Sequence, residues 1–468
     1  MSADQRPSVP PSAAISVPHA SSRIAPTVSL ISLGCPRTLV DSELYLGRLQ
    51  QVGFQVVDLV ERAEVLIINT CSFVQEAIQE SVDTVLRAVE LKKQGKLKAV
   101  IVAGCLVQRF KQDLVKELPE VDGFVGVDGF GDIETVVRRA LHGEQPQSIR
   151  LRPQVPHRGH RPRSALTPSH YAYLKISEGC LKGCSFCVIP KIKGPLSSHP
   201  LEAVVEEARR LVEDRGTSEL IVVGQDTSDY GIDRYGRPRI AELLAELAKL
   251  EGVRWIRLLY CHPRGVSDAL IQTIRDEPRI CKYLDMAIEH ADDGILARMN
   301  RNITRARLQE RIAALRREIP GIALRTSVIV GFPGETDAAF ATLLAFLREV
   351  RFERLGAFQY SHEEGSASFR FPDQVPAALK QRRFDALMRL QQAIAAEHNA
   401  LAVGRRLDAV IDEADPDDAQ QYVGRTSADC PEVDGTLFIR SERRLAPGEF
   451  VTVQVTDSYE YDLVGTAE

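Results

Sequence analysis

Three of the nine cysteines in this 468-residue chain fall in one short run, Ser177-Glu178-Gly179-Cys180-Leu181-Lys182-Gly183-Cys184-Ser185-Phe186-Cys187. A cube of four irons and four sulfurs has four iron corners. Three thiolates on one tight loop hold three of them and leave the fourth iron without a protein ligand. The amine and carboxylate of S-adenosylmethionine can complete that corner, and an electron from the cluster can then break the sulfonium's carbon–sulfur bond. The spacing of Cys180, Cys184 and Cys187 therefore predicts a radical enzyme. A structural zinc site, which takes four tetrahedral ligands and most often two distant pairs, stays open as the alternative, with Cys261, His262 or Cys281 as the fourth ligand. Disulfides are not expected. An odd number of cysteines in a long chain without a secretory apolar stretch fits a reducing, cytoplasmic compartment.

Three more cysteines stand at one kind of position. Short apolar runs at 28–33, 65–68 and 99–102 read as buried parallel strands, with helix-like segments between them. Just beyond each comes Gly34-Cys35-Pro36, Asn69-Thr70-Cys71 or Ala103-Gly104-Cys105. Parallel strands end on one edge, where open α/β folds place ligands, so Cys35, Cys71 and Cys105 are expected to converge on a second metal cluster. The competing reading is three buried, small, hydrophobic side chains.

The rest of the chain supplies the scaffold. Its length gives room for about three domains, and no apolar stretch is long enough to span a bilayer. Residues 1–27, rich in Ser, Pro and Ala, read as a disordered tail. The stretch 127–163 carries Arg138, Arg139, Arg150, Arg152, Arg158, Arg161 and Arg163 and reads as a basic connector, a solvated linker before a phosphate-binding strip. Strand-like runs at 171–176, 220–223, 255–259, 283–288, 324–330 and 355–359 alternate with helical segments at 201–213, 240–250 and 305–318. Six such units predict a parallel sheet closed partway into a (βα)6 barrel, with chemistry at the strands' carboxyl ends. The first strand runs straight into the cysteine loop. Gly224-Gln225-Asp226-Thr227, Glu289-His290 and the turn beginning at Gly331 follow other strands as weaker ligand signals. Phe186 and Gly331 are the candidates for cofactor contact, Gly331 because its missing side chain lets an adenosyl group approach the backbone.

After a helix at 376–400, short strands at 407–411, 421–425, 436–439 and 450–455 predict a small antiparallel β-barrel. Residues 398–468 hold six Arg and no Lys against fifteen Asp plus Glu, a net −9, which leaves +4 for the remainder of a chain of −5. Such a surface repels phosphates and suits a basic protein partner, unless it is simply a solvated acidic face.

Ser32-Leu33-Gly34-Cys35-Pro36, Leu39-Val40-Asp41-Ser42-Glu43, Asn69-Thr70-Cys71, Glu178-Gly179-Cys180 and Gly331-Phe332-Pro333-Gly334-Glu335-Thr336 give the chain beyond its tail a resemblance to a known family, the radical S-adenosylmethionine methylthiotransferases. It is most similar to the RimO type, which modifies an aspartate of small-subunit ribosomal protein number twelve. Pro36, where tRNA-modifying relatives typically carry glutamine, points to the protein-modifying branch. The resemblance implies an amino-terminal methylthiotransferase domain at 28–142, a basic linker at 143–167, a radical core at 168–398 and a TRAM domain at 399–468. It also implies two 4Fe-4S clusters, with Cys35, Cys71 and Cys105 holding the one used in sulfur delivery. Hydrogen would be abstracted from the aspartate β-carbon, sulfur added there, and a second S-adenosylmethionine would give the methyl group. The implied partners are a basic ribosomal protein or assembled small subunit, a reductant protein and a sulfur donor, with no membrane. The alternatives are a tRNA adenosine methylthiotransferase and a non-catalytic, zinc-stabilised ribosome-binding protein. Thr38, Lys193, Ala287 and Glu289 depart from the residues expected of the family and lie near the presumed active face.

Overall fold

The computed structural model describes residues 25–151 and 162–468. Most of the expected tail, and Arg152, Arg158 and Arg161 of the expected connector, lie outside them.

The first sheet contains β1 (Thr27–Ser32), β2 (Gln55–Val56), β3 (Val65–Thr70), β4 (Ala99–Gly104), β5 (Gly123–Val125) and β6 (Gln147–Ser148), all parallel in the order β2-β1-β3-β4-β5-β6. Every residue of β3 and β4 is buried. Helices cover both faces, so these strands read as apolar runs rather than as alternating ones. Ile67 and Ile101 face one core with helices Pro36–Gln51 and Ile133–Leu141. Leu66, Ile68, Val100 and Val102 face the other, with helix Gln75–Lys93. The three short strands β2, β5 and β6 were not expected.

Part of the expected connector belongs to this unit. Arg138 and Arg139 lie on helix Ile133–Leu141, and β6 pairs with β5 at the sheet edge. Its described arginines are paired: Arg138 with Glu134 (3.1 Å), Arg139 with Glu144 (2.6 Å), Arg150 with Asp128 (3.4 Å), and Arg163 with Glu43 and Glu207. They do not form an unpaired strip for phosphates.

All six expected central strands are present: β7 (Tyr171–Lys175), then, after the short β8 (Ser177–Glu178) and β9 (Ser197–Ser198), β10 (Glu219–Val223), β11 (Trp255–Cys261), β12 (Ile280–Met286), β13 (Ala323–Val330) and β14 (Arg354–Gln359). They pair in parallel in the order β14-β13-β12-β11-β10-β7, and the ends of the sheet do not meet. Helices bury the outer face. The concave face carries Tyr173, Ile221, Leu259 and Tyr283, and is closed by Val40 and Leu44 of helix Pro36–Gln51 and by Val410 and Cys430 of the last domain.

That last domain is a closed barrel of β15 (Arg406–Ala414), β16 (Gln421–Thr426), β17 (Leu437–Arg440), β18 (Phe450–Ser458) and β19 (Leu463–Ala467), ordered β15-β16-β17-β19-β18. Closure leaves no exposed sheet edge. β19 was not expected, and it makes the one parallel pairing of the barrel, with β17. Part of the acidic charge is spent inside the molecule. Asp429 pairs with Arg354 (2.5 Å), Asp434 with Arg325 (3.3 Å) and Tyr283 (2.7 Å), and Asp412 with His170 (2.8 Å). Among the described residues, no helix is long and apolar enough to cross a membrane.

Candidate functional site

The loop of Cys180, Cys184 and Cys187 leaves the carboxyl end of β7 and is closed at its base by the antiparallel pair β8–β9. At Gly179 the backbone has φ +67°, and a Cβ there would stand 2.1 Å from the Pro195 carbonyl, so only glycine lets the two ends of the loop cross. Ser185 fastens the middle, its N–H to the Met299 carbonyl (3.0 Å) and its hydroxyl to the Arg298 carbonyl (2.8 Å). Each sulfur accepts one donor: Lys182 N–H on Cys180 (3.3 Å), Arg301 Nη1 on Cys184 (3.2 Å) and Ile189 N–H on Cys187 (3.4 Å). Those donors favour thiolate. Burial pushes the free thiols up, Cys180 to about 11 and Cys187 to about 12, so iron must displace their protons.

Cys71 directly follows β3, Cys105 directly follows β4, and Cys35 stands three residues beyond β1. A Cβ on Gly34 would lie 3.1 Å from Cys71 Sγ, and one on Gly104 would lie 2.3 Å from Asn69 Oδ1. The small residues before the cysteines let the strand ends close together. Cys35 is the N-cap of helix Pro36–Gln51 and makes no capping hydrogen bond, so the positive end of a 16-residue helix is open where a negative cluster would sit. Burial pushes the Cys35 thiol up, but Arg37, with Nε 3.3 Å from Sγ, more than offsets it and leaves it at about 7. Burial raises Cys71, and it raises Cys105 to about 12. All nine cysteines are free thiols.

The barrel-loop thiols border a cavity of about 310 Å³, which the amino-terminal domain reaches through residues beside its own cysteines rather than through the thiols. The barrel loop contributes Cys180, Cys184, Phe186 and Cys187. The amino-terminal domain contributes Arg37, Phe73 and Val74, and the strand ends contribute Gln225, Asp226, Tyr260, His262, Ala287 and Glu289. Gln225 Oε1 is a buried acceptor without a hydrogen-bond partner, and Asp226 Oδ2 makes no hydrogen bond beyond its ion pair with Lys182 (3.4 Å), so both present acceptor oxygens to a ligand. Glu289 holds φ +68°, a strained value for a non-glycine residue, and burial raises its pKa. Burial lowers His262 to about 2, so it is neutral. A wider cleft of about 670 Å³ borders the other side of the loop, lined by Cys184, Cys187, Lys191 and Arg370 among others.

Among the described residues, no three His, Cys, Asp or Glu side chains are gathered to hold a single metal ion. One tetrahedral zinc draws its sulfurs to within about 4 Å of each other, whereas a cube holds each on a separate iron and sets them wider. Three thiols on one loop, each with a donor at its sulfur, fit a 4Fe-4S cluster at Cys180, Cys184 and Cys187.

The residues singled out from the sequence divide. Phe186 lines the cavity and packs against Ile295, Met299 and Phe332. Gly331 does not line it. Its φ is +74°, its missing Cβ makes room for Lys380 Cγ at 2.4 Å, and its N–H is held by Glu335, so turn geometry accounts for the glycine. His290 is buried outside the cavity, with Nδ1 accepting from Asp292 N–H (2.9 Å). Of the departures from the family pattern, Ala287 and Glu289 line the cavity, and the Thr38 hydroxyl is 3.6 Å from Cys35 Sγ. Lys193 is instead a buried cation between domains, 3.0 Å from Asp41 and 3.6 Å from Glu178, the two carboxylates that also hold Lys175. Arg37, Tyr260 and Arg301 were missed. Only Arg37 carried a signal, its place beside Cys35 at the start of a helix.

Family models match three parts of the chain: Uncharacterized protein family UPF0004 at residues 27–126, the Radical SAM superfamily at 174–347 and the TRAM domain at 403–467. The ribosomal protein uS12 methylthiotransferase RimO of Anaeromyxobacter sp. (strain K) is 44% identical over 94% of this chain and 93% of its own. The protein of that name from Lachnoclostridium phytofermentans is 44% identical over 94% of this chain and all of its own. Among solved structures, the radical S-adenosylmethionine methyltransferase TsrM of Kitasatospora setae shares the fold with a TM-score of 0.53 at 13% identity, over 84% of this chain and 79% of that one. The chain belongs to the RimO family of radical S-adenosylmethionine methylthiotransferases.

Proposed function

We propose that the chain adds a methylthio group to the β-carbon of an aspartate in ribosomal protein uS12, the substrate in its relatives' name. The observation that carries this is the shared cavity. Arg37, which donates to Cys35, and the thiols Cys180, Cys184 and Cys187 border the same space. In this reading Cys180, Cys184 and Cys187 hold the 4Fe-4S cluster implied by the family, and Cys35, Cys71 and Cys105 hold a second. With S-adenosylmethionine bound, the first cluster supplies one-electron chemistry able to break an unactivated C–H bond, which no side-chain acid or base can do. The N–H groups of Lys182 and Ile189 and the Arg301 guanidinium stabilise the thiolates. Asp226 and Gln225 accept from the ligand's ammonium and hydroxyl groups, and Phe186 supplies an apolar wall. Through Arg37, which lines the cavity and donates to Cys35, the amino-terminal thiols stand directly behind the cavity wall.

With β6 counted in the first sheet, the domain limits become 28–148, 168–398 and 399–468, with the rest of the connector between the first two. A reductant protein and a separate sulfur donor complete the turnover, and a ribosomal substrate places it in the cytoplasm.

The test is mass spectrometry of uS12 and tRNA offered together to anaerobically reconstituted enzyme with S-adenosylmethionine, sulfide and reductant. A methylthio gain on an aspartyl peptide supports the reading. The same gain on a tRNA nucleoside alone overturns the substrate and keeps the chemistry.

A further inference from the structure

Three cations face the cavity: Arg37, Lys182 and Arg301. Two are committed. Lys182 Nζ lies 2.7 Å from Asp229 and 3.4 Å from Asp226. Arg301 gives Nη1 to Cys184 Sγ at 3.2 Å and Nη2 to the Ala287 carbonyl.

Arg37 is placed differently. It starts helix Pro36–Gln51 of the amino-terminal domain and reaches the strand ends of the barrel. Its Nε donates to Cys35 Sγ (3.3 Å), its Nη1 donates to the Gly224 carbonyl (3.1 Å), and the guanidinium lies 4.6 Å over the Tyr260 ring. Two hydrogen bonds and a stacked face hold its plane. Among the described residues, Nη2 has no hydrogen-bond partner and Arg37 has no carboxylate partner. Arg37 therefore lines the cavity with its plane fixed and one donor free to take an acceptor from a ligand.

We infer that Arg37 is the specificity-determining residue for the substrate's carboxylate. The proposal rests on the aspartate reading given above. Nη2 donates to the side-chain carboxylate of the target aspartate, and the adjoining β-carbon is then held in the cavity bordered by Cys180, Cys184 and Cys187. A guanidinium whose plane is already set offers Nη2 to one carboxylate oxygen at little further entropic cost. The same residue favours the aspartate over the competing substrate, because a neutral adenine offers Nη2 only an uncharged ring nitrogen.

The test is equilibrium binding of cluster-loaded enzyme to uS12 carrying Asp or Asn at the modified position, for the wild type, Arg37→Gln and Arg37→Lys. Iron content and thermal midpoint are measured for each. In the wild type, Asn weakens binding on the order of tenfold to a hundredfold, the worth of a charge-assisted hydrogen bond. Arg37→Gln weakens the Asp substrate by a similar factor and abolishes the difference between Asp and Asn. Arg37→Lys retains part of the preference, since it keeps the charge without the fixed plane.

Equal wild-type affinity for Asp and Asn overturns the proposal even if the variants fail to load iron. So does an Arg37→Gln variant that weakens both substrates alike, or one that loses affinity for S-adenosylmethionine while keeping the Asp preference. Failure of the broader reading looks different: wild-type enzyme then binds neither form and leaves uS12 without a methylthio gain, and this assignment falls with it.

Discussion

Cys180, Cys184 and Cys187 lie on one loop closed by the β8–β9 ladder, whereas Cys35, Cys71 and Cys105 are 36 and 34 positions apart and meet only because β1, β3 and β4 are neighbours. The first set needs a loop with its base clamped and its middle tied by Ser185. The second needs a whole sheet in register, with Val28 opposite Val65 and Val65 opposite Ala99. The local set is insulated from distant changes, and the dispersed set inherits every change in the sheet. The helices show the same division. In the barrel, Ser267, Asp292, Thr304 and Thr336 cap helix starts with their side chains, but the helices beginning at Pro36 and Cys105 have no side-chain cap. Other barrel helices, such as Leu201–Arg215 and Ile240–Leu247, also lack a side-chain cap, so the contrast lies between these four capped starts and the two uncapped starts that adjoin thiols.

The strongest way to break this comparison is to remove one thiol from each set. Cys184→Ala is expected to lower reductive cleavage of S-adenosylmethionine by at least about a thousandfold, about 4 kcal/mol of barrier. Cys71→Ala is expected to stop methylthio transfer while cleavage continues. Chromatographic assay of the cleaved nucleoside, with iron counted per chain, reads both. If Cys71→Ala stops cleavage as completely as Cys184→Ala, the two sets form one cooperative unit and the division is wrong.

A smaller effect separates the groups that hold the strand-end turns. After β13, Glu335 accepts the Gly331 N–H and the Phe332 N–H (3.2 Å) and lies 3.4 Å from Arg383. In the amino-terminal domain a neutral side chain does that work: Asn69 Nδ2 donates to the Thr38 carbonyl (3.1 Å) and the Ser42 hydroxyl (2.9 Å). Burial raises Glu335 to about 7, and Arg383 and the two N–H groups only partly offset it. A raised carboxyl binds its proton more tightly folded than unfolded. Its contribution is therefore full below the unfolded value near 4.5 and is lost as pH rises through about 7, up to about 3 kcal/mol. The difference in denaturation free energy between wild type and Glu335→Gln should shift by that amount between pH 4.5 and 8, in favour of the variant at high pH. A difference independent of pH would mean that Glu335 is ionised throughout.

The sequence made the local set plain and the dispersed set conditional. Thiols at 180, 184 and 187 announce a cluster loop because the constraint lies within one run of chain. Cys35, Cys71 and Cys105 could be joined only by assuming that three apolar runs were parallel neighbours, which β1, β3 and β4 are. The six central strands were legible because β-branched and aromatic runs alternated with helical periods. The two-residue strands β2 and β6 offer too few residues for any period, and β19 ends in a Gly-Thr-Ala segment with little β signal. Gly331 misled because a glycine after a strand serves a turn as readily as a ligand. The pairing of Asp429 and Asp434 with barrel arginines was hidden, since net charge does not tell a surface acid from a buried one.

The smallest effect tests what the open helix end costs. Thr336 accepts the Ala339 N–H at 3.2 Å, so Thr336→Ala should lower stability by about 1 kcal/mol in metal-free protein. Cys35 occupies the same N-cap position with suitable extended backbone, φ −110° and ψ 168°, but makes no cap. Serine is among the best N-cap residues, so Cys35→Ser should raise metal-free stability by up to about 1 kcal/mol while removing the thiol proposed as a cluster ligand. Denaturant melts of both variants, with iron uptake beside them, give the two signs. If Cys35→Ser is destabilising without metal, the thiol serves packing there, and the case for a cluster at the three strand ends loses the support of the open helix. If it stabilises and iron is lost, the amino-terminal domain gives up helix stability to keep a ligand, where the barrel, with its ligands on a loop, has no such choice to make.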